Sequence, residues 1–410
     1  MTTIDTLSKL NTIIPHASNA PLYKVQLPLP EKKLTSLIEF HKKVPFTLKQ
    51  DLRDAYPYGG LAVSRDKVME IHTSSGTSGR PVGSFLTKFD VEEGSREIGK
   101  AWANFGVNEK SIVMFAMSYG LYSGASINTY AVQSLGAFVI PASIIPIDKY
   151  IDLILDYGVT HIVGVPGFYY YLYAKMLERG IDPTQTSLTT MIAAGETYSE
   201  ATRHEIQSMF NTTVFDHYGL VEINTGICFE CPFKNGLHVL DDYVYTEVLN
   251  FSDPVNPVPA RTGEKGELVL TNLNKEASPV IRYRTGDVVT NLGKKLCECG
   301  RTTQKISRIQ GRVDSVVSIK GVKLDPYALR RDIQEKFTTV KDGMISFRVQ
   351  KNRIHYTPLI IVTLEDPSHA DILKKYVYQL TSLKFDVQHT PIEYWFINKN
   401  KAPLVEYVEE

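Results

Sequence analysis

Residues 72–83 read His-Thr-Ser-Ser-Gly-Thr-Ser-Gly-Arg-Pro-Val-Gly, and the six from Ser74 onward (Ser74, Ser75, Gly76, Thr77, Ser78 and Gly79) all carry a hydroxyl or are glycine. Such a run lets the backbone curl with its N–H groups pointing inward at small steric cost, and the hydroxyls add donors, which together make a cradle for phosphate oxygens. No Gly-Lys-Ser/Thr follows, so it is not a Walker loop. A flexible Ser/Gly linker is the alternative. Ile71 and Phe85 on either side argue instead for strands entering and leaving a turn.

Two carboxylates stand at comparable places further along. Glu222 closes Asp-His-Tyr-Gly-Leu-Val-Glu at 216–222, at the expected end of a strand. One protein carboxylate with nucleotide phosphates suits a hard Mg²⁺ ion, while a solvated surface glutamate is the plain alternative. Tyr218 could stack on a base or simply pack. Asp287, after Thr285-Gly286, could take two hydrogen bonds from ribose hydroxyls or could cap the turn.

The four cysteines fall in two pairs, Cys228-x-x-Cys231 and Cys297-x-Cys299, each in a segment flanked by glycine or proline. Four thiolates around a tetrahedral Zn²⁺ is the natural reading, and such an ion would be structural because no position is left for water. His238 could replace one cysteine, since the one-residue spacer is tight. Four unrelated thiols are the alternative.

These residues need elements to position them. From residue 110 onward β-runs at 111–117, 137–140, 161–165, 188–194 and 213–215 alternate with helical patterns at 150–157, 168–179 and 199–209, which predicts βαβ units and a parallel sheet. In such sheets ligands bind beyond the carboxyl ends of strands. Between 247 and 289 the texture becomes β-rich, with strands expected at 266–272 and 280–283. Residues 1–70 show short helices and no chemistry. A boundary is expected near 310, followed by a small α+β segment with a strand at 359–364 and a helix at 370–383.

Composition narrows the function. The 410 residues are 43% hydrophobic and 22% charged, with 45 basic and 45 acidic side chains, so nothing in the balance draws the chain to nucleic acid or an anionic membrane. The polar start lacks a secretory pattern and no apolar run approaches the roughly 20 residues of a membrane span. Paired, scarce cysteines fit a reducing compartment, and a cytoplasmic protein is expected.

Taken in order, the loop at 74–79, Ala-Ala-Gly-Glu at 193–196, the stretch at 216–222, Gly-Glu-Leu-Val at 266–269, Arg-Tyr-Arg-Thr-Gly-Asp at 282–287 and Gly-Arg-Val-Asp at 311–314 resemble the adenylate-forming superfamily of acyl-CoA synthetases and luciferases. The chain most resembles its phenylacetate-coenzyme A ligase branch, through Asn-Gly-Leu-His-Val at 235–239, residues 273–284 and Cys-Glu-Cys-Gly-Arg-Thr at 297–302. The resemblance implies a large α/β domain at 1–310, with a zinc-binding β-rich part near 226–300, and a small α+β domain at 311–410 that rotates about a hinge. It implies ATP-dependent activation of a carboxylic acid to an acyl-adenylate, then transfer to coenzyme A. An aromatic or arylacetic acid is favoured.

By the same resemblance, Ser74 to Gly79 wrap the ATP phosphates, and Gly195, Glu196 and Tyr218 flank the adenine. Glu222 binds Mg²⁺, Asp287 holds the ribose, Arg312 contacts phosphate and Asp314 is the hinge. Tyr119 is read as a wall of the acyl pocket, and Gly321 lies by the thiol's tunnel. The family's catalytic lysine matches Lys401, with Lys399 as the other choice. No glycine precedes it and no basic residue stands two places later, so a solvated tail lysine is the alternative. Ser315 replaces a second hinge acid. Transfer to an acyl carrier protein or an amine, and a non-catalytic nucleotide- or acyl-binding role, are the rival functions. A homodimer is implied by resemblance alone.

Overall fold

A computed structural model describes residues 3–74, 80–121, 123–224, 226–253, 257–313, 315, 317–319, 322–350, 356–397 and 404–408. The sequence-predicted Ser75, Gly76, Thr77, Ser78, Gly79, Asp314, Gly321, Lys399 and Lys401 lie outside this range. The chain divides into two compact units: residues 1–143, 159–163 and 215–310 form one, and 144–158, 164–214 and 311–410 the other.

In the first unit the N-terminal helices Thr3–Ala17 and Leu37–Lys43 bury Leu10, Ile13, Ile14 and Phe40 in a core shared with Tyr23, Leu273 and Ile281. Strands Val68–Thr73 and Gly83–Thr87 pair antiparallel, with Ile71 opposite Phe85, as the residues flanking the Ser/Gly loop predict. The second strand feeds helix Lys88–Asn104. Its start is fixed by a capping box in which the Thr87 hydroxyl takes the Asp90 N–H (3.1 Å) and the Asp90 carboxylate takes the Thr87 N–H (2.9 Å). Strands Ile112–Phe115 and Phe138–Ile140 run parallel, and His161 to Val163 pair parallel with Val113 to Phe115. A further run of strands in the unit pairs antiparallel: Val244–Leu249 with Lys265–Asn272, which pairs with Tyr283–Lys294, which pairs with Gln304–Ile306.

One strand differs from expectation. The run 280–283 has strand composition, yet the strand begins at Tyr283 and continues to Lys294. Arg282 sits at φ 46°, in left-handed backbone outside the extended region of regular strand. A buried bidentate pair with Glu247 (3.0 and 2.8 Å) and bonds to the His41 and Val44 carbonyls hold it there.

In the second unit helices Ile147–Tyr157, Pro166–Glu178 and Glu200–Phe210 accompany the wholly buried strand Thr190–Ala194. Gly158 at φ 63° ends the first of these and Pro166 begins the second, the usual glycine and proline positions at helix ends. From Gly311 the chain builds a four-stranded sheet in the order Asp386–His389, Leu359–Val362, Ile345–Gln350, Val405–Val408, with helices Pro326–Lys336 and Ala370–Thr381. Its core joins Ile333, Phe347, Ile360, Val362, Leu373 and Val377. This segment meets helix Glu200–Phe210 through Asp342, whose buried carboxylate takes the Ser199 N–H (2.7 Å) and the Thr202 hydroxyl (2.9 Å).

Candidate active site

The Ser/Gly loop is closed at its base by two hydrogen bonds, Ser74 N–H to the Val82 carbonyl (3.0 Å) and Val82 N–H to the Ser74 hydroxyl (2.9 Å). Ser74 and Val82 thus prolong the pairing of strands Val68–Thr73 and Gly83–Thr87.

Glu222 lies in a turn just after strand Thr213–Tyr218, where the N–H groups of Ile223 and Asn224 both reach the Leu220 carbonyl at 3.2 Å. The side chain is 6% exposed, which removes the surface-glutamate alternative. Its Oε1 accepts the Tyr283 hydroxyl at 3.1 Å and lies 3.9 Å from the Lys49 ammonium. Among the described residues Oε2 accepts no hydrogen bond. A buried carboxylate with one oxygen held and the other without a hydrogen bond fits a ligand to a hard metal ion.

Tyr218 and Asp287 meet directly, the phenol donating to Oδ2 at 2.6 Å. Burial, and then the neighbouring Asp287 charge, hold the Tyr218 phenol well above its ordinary pKa, so it stays a donor. Asp287 reaches this place through an irregularity in strand pairing. The register against Lys265–Asn272 shifts between Glu267 and Val269 just where Gly286 stands at φ 76°. The expected turn is a bulge, and bulges re-aim side chains. Asp287 N–H also donates to the Thr285 hydroxyl at 3.0 Å, so the turn-capping role falls to Thr285.

Three residues of this site have no role assigned to them from the sequence. Lys49 comes from the N-terminal part read as chemically silent. Tyr283 and Lys275 stand inside the stretch 273–284 but have no motif role of their own. Lys275 is buried to 1% exposure, with Nζ donating to the Ser84 hydroxyl (2.7 Å) and the Glu222 carbonyl (3.3 Å).

His217, beside Tyr218, is enclosed by Trp102 and Phe105, each 6.1 Å away between ring centroids. Burial lowers its pKa from 6.5 to about 4. A histidine with a depressed folded-state pKa contributes stability that is complete above pH 6.5 and lost as pH falls toward 4. The loss is on the order of 3 kcal/mol. Urea unfolding of His217→Gln at pH 7 and pH 4.5 should show a smaller acid loss than the unaltered protein by about that amount, and an equal loss in both would remove this assignment.

Tyr119 is half-buried, with its hydroxyl 2.6 Å from that of Thr129. Gly195, at φ 82°, turns the chain at the end of strand Thr190–Ala194, and Glu196 follows it. Both belong to the second unit. Arg312 lies in the short strand Gly311–Arg312, where its carbonyl takes the Ser315 hydroxyl at 2.7 Å.

The cysteines resolve into a cluster that differs by one member from the all-thiol reading. Cys231, His238, Cys297 and Cys299 place their ligand atoms within 4.8 Å of one another, with the Cys231 and Cys297 sulfurs 3.8 Å apart and Cys299 Sγ 3.4 Å from His238 Nε2. Cys228 is not among them. It lies in strand Cys228–Glu230, opposite Tyr218 and Val239, and positions three apart around a strand do not share a face. Phe229 is the residue paired with His238, and this brings the histidine to the cluster instead. His238 Nδ1 lies 2.8 Å from the Thr303 hydroxyl, an outer contact of the kind that orients a ligating imidazole. Three sulfurs and one imidazole suit a tetrahedral structural zinc ion.

The family model described as AMP-binding enzyme matches residues 12–273. A phenylacetate-coenzyme A ligase of Aromatoleum evansii is 35% identical over 329 residues, spanning 78% of this chain and 72% of that protein. One of Escherichia coli (strain K12) is 34% identical over 336 residues, with 79% and 74% covered. In structure, a 2-hydroxyisobutyryl-CoA ligase in the postadenylation state, in complex with 2-HIB-AMP, superposes with a TM-score of 0.83 at 20% identity, covering 100% of this chain and 89% of that one. With the closed loop base, the buried Glu222 and the Tyr218–Asp287 pair already in place, these matches establish that the chain belongs to the AMP-binding enzyme family, in its phenylacetate-coenzyme A ligase branch.

Proposed function

We propose that the protein is an AMP-forming acid–thiol ligase: it activates a carboxylic acid, aromatic or arylacetic, with ATP and passes the acyl group to coenzyme A. The observation that carries this reading is Glu222, a buried carboxylate with one oxygen bound by Tyr283 and the other open, one turn beyond the Tyr218–Asp287 pair. The relatives named as phenylacetate-coenzyme A ligases support the acid class and the acceptor.

In the first step the acid's carboxylate attacks the α-phosphorus of ATP, giving an acyl-adenylate and pyrophosphate. In the second, a thiol attacks the acyl carbon and AMP departs. Little bond-making falls to the protein, so its contribution is placement and charge. Asp287 would hold the ribose, and Tyr218, Gly195 and Glu196 would contact the adenine. Ser74 to Gly79 and Arg312 would hold the phosphates, Lys401 would meet charge developing on the phosphoryl oxygens, and Tyr119 would face the acyl group. Glu222 would hold Mg²⁺, which when bound neutralises phosphate charge. Asp314 as the hinge and Gly321 beside the thiol complete the proposed assignments.

Cys231, His238, Cys297 and Cys299 would hold a structural Zn²⁺. Among the described residues no helix is long and apolar enough to cross a membrane. Four cysteines outside any disulfide suit a reducing cytoplasm, where we place the protein, as a homodimer.

Pyrophosphate release from MgATP across a panel of aryl, arylacetic, fatty and amino acids tests the reading. Release confined to aromatic or arylacetic acids, with thioester formed on adding coenzyme A, is expected. Release without thioester, and acyl transfer to a carrier protein or amine instead, would overturn the acceptor.

A further inference from the structure

Lys275 is a buried cation to which the site's assigned chemistry gives no role. Lys275 lies in the connection between strands Lys265–Asn272 and Tyr283–Lys294. That connection is laced to its surroundings: Glu276 and Ala277 donate their N–H groups to the two oxygens of Asp90 (2.6 and 2.9 Å). The Thr87 hydroxyl donates to the Glu276 carboxylate (2.9 Å), and the Ser278 hydroxyl takes the Phe85 N–H (2.9 Å). The segment is thus bound along strand Gly83–Thr87 and the first turn of helix Lys88–Asn104, and it delivers one charged side chain inward. A Lys at 1% exposure is rare unless something demands it.

Its partners are neutral. Nζ donates to the Ser84 hydroxyl and the Glu222 carbonyl, and among the described residues no carboxylate oxygen lies within 4.0 Å of it. Asp90 and Glu222 attract it only from further away. A methionine would fill similar space without the cost of burying an unpaired cation. The two groups it does hold are informative. Ser84 stands in the strand that leaves the phosphate loop, and Glu222 carries the carboxylate assigned to the metal.

We infer that Lys275 is a positioning residue for the magnesium–nucleotide complex: one ammonium ties the strand leaving the phosphate loop to the turn bearing Glu222, and it adds a positive charge beside an anionic ligand. This rests on the proposed ATP-dependent activity. It assigns Lys275 no contact with the acid, so its loss acts on the nucleotide side.

The test is calorimetric titration of MgATP into the unaltered protein, Lys275→Met and Ser84→Ala, with KM for MgATP and for the acid measured beside it. Lys275→Met should weaken MgATP binding and raise its KM at least tenfold, with the acid's KM changed less than threefold. Ser84→Ala keeps the charge and removes one anchor, and should weaken MgATP about threefold. It carries the test if Lys275→Met does not fold. Unchanged MgATP affinity in a folded Lys275→Met, or in Ser84→Ala when that variant alone folds, overturns the inference. So does equal weakening toward MgATP and the acid, the mark of a purely structural role. Binding is read without turnover, so protein that binds MgATP but activates no acid would sink the proposed function while the comparison still decides Lys275. No MgATP binding by the unaltered protein would overturn both.

Discussion

Glu222→Gln is expected to fold as the unaltered protein does and to lose adenylation by a factor of roughly 100 to 1000, the range seen when one preorganised electrostatic contact to the developing charge is removed. Glutamine keeps the shape and can still accept the Tyr283 hydroxyl that now binds Oε1 at 3.1 Å. It loses the formal charge, and with it the ability of the open oxygen to ligate a hard cation strongly. Tyr283→Phe should fall much less, about tenfold, because it only loosens the carboxylate. Acid-dependent exchange of labelled pyrophosphate into ATP measures both. Full activity in Glu222→Gln would remove Glu222 from the chemistry.

The second large effect concerns the cysteine cluster. Cys297→Ser should abolish stoichiometric zinc and lower the melting temperature by roughly 10 °C, corresponding to about 3–5 kcal/mol for a unit of this size. Structural zinc in small finger peptides is worth about 10–16 kcal/mol, but there the metal is nearly the whole core. Here the strands beside the cluster are anchored in a larger sheet, with Leu237, Val239 and Ile306 fully buried, so the fold should survive the loss. Cys228→Ser is the informative contrast. Cys228 lies outside the cluster, so its variant should keep one zinc per chain. Metal analysis with thermal melting decides the matter. Zinc retained in Cys297→Ser, or lost in Cys228→Ser, would contradict the Cys₃His set.

Local chemistry was readable where it depends on near neighbours in sequence. The strands on either side of the Ser/Gly run pair with Ile71 opposite Phe85, and Ser74 meets Val82 eight residues on, as those apolar neighbours advertised. Glu222 could be placed because it ends a short stretch after one strand. Position across the sheet was harder to read. Which three sulfurs join His238 depends on the alternation of a three-residue strand and its register against Leu237–Val239, and a Cys-x-x-Cys spacing does not reveal that a strand occupies its first half.

Long-range partners were hidden for another reason. Lys49 is 173 positions before Glu222 in the chain, and nothing in a short polar helix marks one lysine among several. Lys275 was hidden by its type, since lysine is expected outside. Arg282 shows the opposite failure: apolar and aromatic neighbours suggested a strand from 280. A buried ion pair with Glu247 imposes left-handed backbone instead and delays the strand to Tyr283, whose hydroxyl then meets Glu222.

The most direct measurement follows an oxygen atom. With the acid labelled by ¹⁸O in its carboxylate, attack on the α-phosphorus leaves one acid oxygen bridging to the adenylate, and it departs with AMP when coenzyme A takes the acyl group. Mass spectrometry of the products should find AMP carrying one ¹⁸O atom for each thioester formed. Unlabelled AMP, or ADP with the label in inorganic phosphate, would show that activation does not pass through an acyl-adenylate.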